Sequence, residues 1–243
     1  MTEGALATPV FINCRDRVTP LRALVSWLER AGHERIVLVD NASTYPPLLE
    51  FYDQTPHEVV KLGANLGPQA VWTARLTDFF PNCRYVLTDS DVVPDDDAPV
   101  DAVDRFSDLL DRYEDVDKVG FGLRIDDLPS GYGFRADVID WESQFWEDEI
   151  EPGVFRADLD TTFALYRSHV RTRTFTALRT GLPYVARHIS WYIDSSNLSD
   201  EEAYYRHHAR KDWTNWSSDA LPSELLAAIE HHRSRRANAQ HQL

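Results

Sequence analysis

Two aspartates two residues apart, Asp89 and Asp91, close the apolar run Tyr85-Val86-Leu87. Side chains in an extended segment alternate, so both carboxylates can face one side, roughly 7 Å apart along the strand. Carboxylate oxygens are hard donors that favour magnesium or manganese. A cation held by one or two protein carboxylates completes its shell with water and phosphate oxygens. The pair therefore predicts a divalent cation that in turn holds a diphosphate. A third acid, Asp40, ends a second apolar run, Ile36-Val37-Leu38-Val39. With 40 Asp and Glu in the chain an isolated D-x-D says little. Its weight comes from the elements around it.

The first half of the chain alternates strands and helices. PVFINC is a strand, Val18-Thr19-Pro20 opens the helix LRALVSWLERAG with Thr19 as its N-cap and Pro20 in the first turn, and Gly32 stops it. RIVLVD reads as a strand buried on both faces. A helix follows from about Pro46 to Gln54, then the strand HEVVKL, then the turn Gly63–Pro68 opening a helix to about Phe80, then RYVLTD. This order predicts a parallel sheet covered on both faces, with ligands outside the carboxyl ends of its strands. Asp40 and Asp89 both stand at such ends, so two separate stretches converge on one crevice.

The second half is less regular: a helix near Asp97 to Tyr113, the strand KVGFGLRI, a Gly- and aromatic-rich segment, and a strand in DTTFALYR. Trp141, Phe145 and Trp146 have helical spacing, which suits either a core stripe or a wall for a ring-shaped ligand. No internal repeat or low-complexity linker divides the chain, so 1–243 reads as a single domain. About 8–125 form a ligand-binding half, about 126–220 an opposite half, and 221–243 a C-terminal helix and tail.

The formal charge is −15, which argues against nucleic acid as a partner. A small phosphorylated ligand would need a metal or placed arginines against that background. No apolar window is long enough to span a bilayer and no basic-then-apolar leader opens the sequence, so the expectation is a soluble, cytoplasmic protein. Two cysteines, Cys14 and Cys83, exclude a disulfide framework and a cysteine zinc site, and are expected to be buried thiols. The basic, aromatic C-terminal stretch, with Arg206, Arg210, Lys211, Trp213 and the tail HHRSRRANAQHQL, suits a solvated end or a peripheral contact with an anionic membrane.

The order and spacing of these features over about residues 8–125 resemble the nucleotide-sugar glycosyltransferases of the GT-A fold, family 2 in particular. The matching features are the loop Asn13-Cys14-Arg15-Asp16-Arg17, the strand end Val39-Asp40-Asn41-Ala42-Ser43, the turn Asn65-Leu66-Gly67 with Arg75 beyond it, and Asp89-Ser90-Asp91. The resemblance implies a GT-A (Rossmann-like) α/β fold: a mostly parallel sheet with helices on both faces and an irregular acceptor-side second half. It implies transfer of a hexosyl or deoxyhexosyl group from a nucleoside-diphosphate sugar to a carbohydrate or other hydroxyl acceptor, with Mn2+ or Mg2+. Asp40 would accept a hydrogen bond from the base, and the main chain near Pro9 and Phe11 would line the same pocket. Arg75 would sit near the base or diphosphate. Asp89 would contact the ribose or the metal's water shell, and Asp91 would bind the metal.

Farther along, Ala157–Arg167 resembles the start of the acceptor-side strand, where an inverting transfer needs a carboxylate to take the acceptor's proton. Asp160 is the first choice, with Asp158 and Glu142 as rivals. Ala186–Tyr192 resembles the segment that places a histidine on the metal or diphosphate. His188 would take that role, with Arg187 and Tyr192 closing over the phosphates and Trp141 on the acceptor side. The chain departs from the family in lacking an E-D pair before an acceptor-side helix. Three other functions remain open: a non-catalytic nucleotide-sugar-binding protein, a D-x-D phosphatase with Asp89 as nucleophile, and a nucleotidyltransferase. The donor, the acceptor and the oligomeric state are not encoded in any motif.

Overall fold

A computed structural model describes residues 8–210 and 216–240, the last five as backbone only. In chain order the elements are β1 (Val10–Cys14), α1 (Thr19–Arg30), β2 (Ile36–Asp40), α2 (Pro46–Gln54), β3 (Glu58–Lys61), the single turn α3 (Ala70–Thr73), β4 (Tyr85–Asp89), β5 (Val92–Pro94), α4 (Ala102–Arg112) and β6 (Lys118–Leu123). Then come α5 (Arg135–Glu142), β7 (Glu149–Glu151), β8 (Val154–Arg156), β9 (Ala164–Tyr166), β10 (Ala177–His188), α6 (Asp200–His208) and α7 (Ser223–Gln240). Among the described residues ten strands form one mixed sheet in the order β3-β2-β1-β4-β9-β6-β10-β8-β7, with β5 pairing to β10.

The half β3-β2-β1-β4 is parallel throughout. Antiparallel β9 then enters between β4 and β6, and β6 runs parallel to β10. The protein is thus α/β with a parallel core, as the alternation of elements predicts. Along β1 the alternation sorts side chains to the two faces. Val10, Ile12 and Cys14 join the larger core with Leu24, Trp27 and Phe106, while Phe11 joins the other with Val39, Tyr85 and Tyr166. The close approach of β9 explains Gly120, where a Cβ would lie 2.3 Å from the Phe163 carbonyl oxygen.

Several local expectations are corrected. The third helix does not run to Phe80. Arg75 adopts a left-handed backbone, φ 57°, and splits the segment into α3 and a 3-10 turn, Leu76–Phe79. Thr19 is the first residue of α1 rather than its cap. The free amides of Val18 and Thr19 donate instead to Glu201 Oε1, at 2.6 and 3.0 Å. Cys14 is buried but Cys83 is exposed, because it falls in the loop before β4. The tail continues α7 to Gln240. Lys211 and Trp213 lie outside the described residues. No helix among the described residues is long and apolar enough to cross a membrane.

Candidate functional site

A cleft of about 700 Å³ opens where β1 and β4 end, and the second half of the chain forms its other wall. In the register of the parallel strands Asn13 stands beside Asp89. Its amide Nδ2 donates to Asp89 Oδ1 at 3.4 Å, and Thr161 Oγ1 donates to Asp89 Oδ2 at 2.7 Å. Burial and the neighbouring Asp91 charge push the Asp89 carboxyl up to about 7, against the pull of the Thr161 hydrogen bond.

Asp91 follows one turn residue later and is differently provided for. Its Oδ2 accepts from Arg17 Nη1 at 2.8 Å and from Ser190 Oγ at 2.5 Å, and it lies 3.8 Å from His188 Nε2. Burial opposes its charge, but the neighbouring His188, the Arg17 guanidinium and the Ser190 hydroxyl overcome burial and hold the carboxyl below its usual range. At the end of β10, burial pushes the pKa of His188 below its ordinary value, against the pull of Asp91. The His188 Nδ1 is buried without a hydrogen-bond partner, and its ring tilts against Trp191 at 4.7 Å.

The sheet thus brings Asp89, Asp91 and His188 together. Among the described residues no group of three or more His, Cys, Asp or Glu side chains is placed to hold a metal ion. Asp91 and His188 supply two donors, which fits a hard cation that takes its remaining ligands from phosphate and water. Arginine is also concentrated here, with Arg15, Arg17, Arg173, Arg179 and Arg210 all lining the cleft of this acidic chain.

On the opposite wall, Asp160 lines the cleft but Arg173 engages both its oxygens, at 2.9 and 2.7 Å. Asp158 is exposed and also lines it. Glu142, at the end of α5, is buried against Arg179 at 2.8 Å, and burial raises its pKa while Arg179 lowers it. Phe145 lies 4.0 Å from the Arg179 guanidinium, Trp141 meets Phe145 edge to face at 5.9 Å, and Phe175 is exposed at the rim. Trp141 and Phe145 therefore form a cleft wall, while Trp146 packs against Phe155 and Gly122.

The remaining residues singled out in the sequence lie elsewhere. Pro9 precedes the amino end of β1, opposite the cleft, and its carbonyl accepts from Val86 N. Phe11 is in mid-strand with its ring in the core against Tyr85 and Phe80. Asp40 ends β2 as expected, but it is buried as a turn acid, accepting from Ser43 N at 2.9 Å and from Tyr52 at 3.3 Å. The neighbouring Asn41 reaches the cleft and clamps the Asn65-Leu66-Gly67 turn, donating to Gly67 O and accepting from Leu66 N.

Arg75 projects into solvent, 82% exposed, against Asp78. Arg187 joins Asp95 and Asp127, and Tyr192 also donates to Asp127, in a network with Arg124 beside the β5–β10 pair. Neither residue lines the cleft. Residues not anticipated in the cleft are Asn13, Arg15 and Arg17 from the β1 loop, Arg173 and Arg179, and Tyr205, Trp216 and Ser217 from the C-terminal segment. The charged loop Asn13-Cys14-Arg15-Asp16-Arg17 signalled the first three by standing at a central strand's carboxyl end.

No protein-family model matches the chain, and no curated protein matches it.

Proposed function

We propose that this chain is a GT-A-type glycosyltransferase that moves a sugar from a nucleoside diphosphate to a hydroxyl acceptor, with inversion and with a divalent cation, Mn2+ or Mg2+. The observation that carries the proposal is the convergence of Asp89 at the end of β4 and Asp91 in the turn after it with His188 from β10, in an arginine-lined cleft at the strands' carboxyl ends. Asp91 and His188 would hold the cation, which when bound offsets the negative charge of the departing diphosphate.

The chain's own residues supply the rest. Asn13 and Thr161 orient Asp89 at the edge where a ribose would lie. Arg15, held by the Asn41 and Ala42 carbonyls at the cleft, stands where a diphosphate would need positive charge. The aromatic wall of Trp141 and Phe145 suits the C–H face of a sugar ring. An acceptor oxygen attacks the anomeric carbon while its proton passes to a carboxylate, and the bond from that carbon to the diphosphate oxygen breaks. Asp158 is the better base, because Arg173 occupies both oxygens of Asp160 while Asp158 is exposed on the cleft wall.

A D-x-D phosphatase would instead need Asp89 as a free nucleophile, and here both its oxygens accept hydrogen bonds. The test is to incubate the protein with Mn2+ and a panel of UDP-, GDP-, dTDP- and CDP-sugars, and to follow release of nucleoside diphosphate. Release from one donor, lost in Asp158→Asn while nucleotide binding persists, is expected. Binding without release would favour a non-catalytic nucleotide-sugar-binding protein, and release of phosphate from simple phosphoesters would favour a phosphatase.

A further inference from the structure

Arg17 is almost completely buried between two carboxylates from distant parts of the chain. Its Nη1 donates to Asp91 Oδ2 at 2.8 Å, and its Nη2 donates to Glu202 Oε2 at 2.8 Å and to Ser217 Oγ at 2.7 Å. The guanidinium carbon lies 3.5 Å from the centre of the Tyr205 ring. Glu202, Tyr205 and Ser217 belong to α6 and the segment beyond it. Next to Glu202, Glu201 caps the first amides of α1 at Val18 and Thr19. Helix α6 is therefore fastened to three consecutive residues, 17–19, and the first of them reaches the cleft acid Asp91.

We infer that Arg17 is a positioning residue that couples the docking of α6 to the assembly of the cleft around Asp91. Removing the guanidinium would leave Asp91 and Glu202 buried without their shared cation. Undocking α6 would free Arg17 from Glu202, Tyr205 and Ser217 and let it leave Asp91. A ligand held at Asp91 with α6 docked must then stabilise α6 by the same factor that α6 strengthens the ligand. The coupling is a property of the ligand-free chain, and only its effect on a ligand rests on the function proposed above.

Hydrogen exchange on wild type, Arg17→Gln, Arg17→Lys and Glu202→Gln tests it. Without ligand, Arg17→Gln and Glu202→Gln are expected to speed exchange of the α6 amides while those of β1, β2 and β4 stay protected, with Arg17→Lys in between. Unchanged α6 exchange in Glu202→Gln would overturn the inference, and that variant decides if Arg17→Gln loses core protection as well. With Mn2+ and whichever of UDP, GDP, dTDP or CDP binds, α6 exchange in wild type should slow about tenfold. Glu202→Gln should weaken that nucleotide about tenfold, within the usual span of such couplings. A nucleotide that binds both proteins equally and leaves α6 exchange unaltered would refute the coupling to ligand. If no nucleotide binds wild type, the proposed function fails, while the ligand-free comparison still decides the inference.

Discussion

Replacing Lys118 by methionine should change how stability depends on pH. Lys118 lies on β6 with no exposed surface. Its Nζ donates to the Asp160 carbonyl at 2.9 Å and to the Tyr166 hydroxyl at 3.1 Å, behind the loop that carries Asp158, Asp160 and Thr161. Burial pushes its pKa from 10.5 down to about 7. The unfolded chain then binds more protons than the folded one across that interval, so this group costs stability at neutral pH and the cost fades as pH rises towards 10.5. At 1.36 kcal/mol per pH unit of differential binding, wild type should gain about 2.5 kcal/mol relative to Lys118→Met between pH 6.5 and 9. Urea unfolding of both proteins across that range measures the difference, and groups common to both cancel. A gap between the proteins that does not change with pH would refute the buried, readily deprotonated lysine.

Further predictions concern packing and the site's boundary. Gly120→Ala should cost about 3 kcal/mol by chemical denaturation, since its Cβ would meet Phe163 O at 2.3 Å and the sheet must spread. Glu142→Ala strands the buried Arg179 guanidinium and should cost about 3–5 kcal/mol, whereas Glu142→Leu with Arg179→Met should recover most of that loss. Arg75→Ala should leave nucleotide affinity unchanged by calorimetry, because that side chain stands in solvent. Arg187→Ala should lower the melting temperature through Asp95 and Asp127 with nucleotide affinity again unchanged.

The parallel half of the sheet was legible because its strands are continuous apolar runs of strand length, separated by clear helix starts such as Pro46-Pro47. Asp89 was legible at a strand end for the same reason, since strand ends in such a sheet converge, whereas His188 was suggested only by the resemblance of Ala186–Tyr192, because no apolar run marks the end of β10. Arg187 does not share the cleft, although it adjoins His188. Successive side chains on a strand point to opposite faces, so a histidine facing the cleft turns its neighbour away. Asp40 lay at the expected strand end, but its carboxylate is used by its own turn, and Asn41 takes the cleft position. Pro9 was misplaced because the cleft lies at Asn13, beyond the other end of the strand. The pairs Arg17–Glu202, Arg173–Asp160 and Arg179–Glu142 could not be read from the sequence, since no local pattern says which of 40 acids meets which arginine.

The most direct test of the proposed site is a thermal-shift titration of UDP, GDP, dTDP and CDP, each with and without Mn2+, on wild type and Asp91→Ala. A ligand at a hundredfold its dissociation constant stabilises the folded state by about 2.7 kcal/mol, a readable rise in melting temperature. The expected result is a Mn2+-dependent rise with one of the nucleotides that vanishes in Asp91→Ala. A rise that survives in Asp91→Ala, or no rise with any nucleotide, would contradict a nucleotide-diphosphate site built on this pair of aspartates.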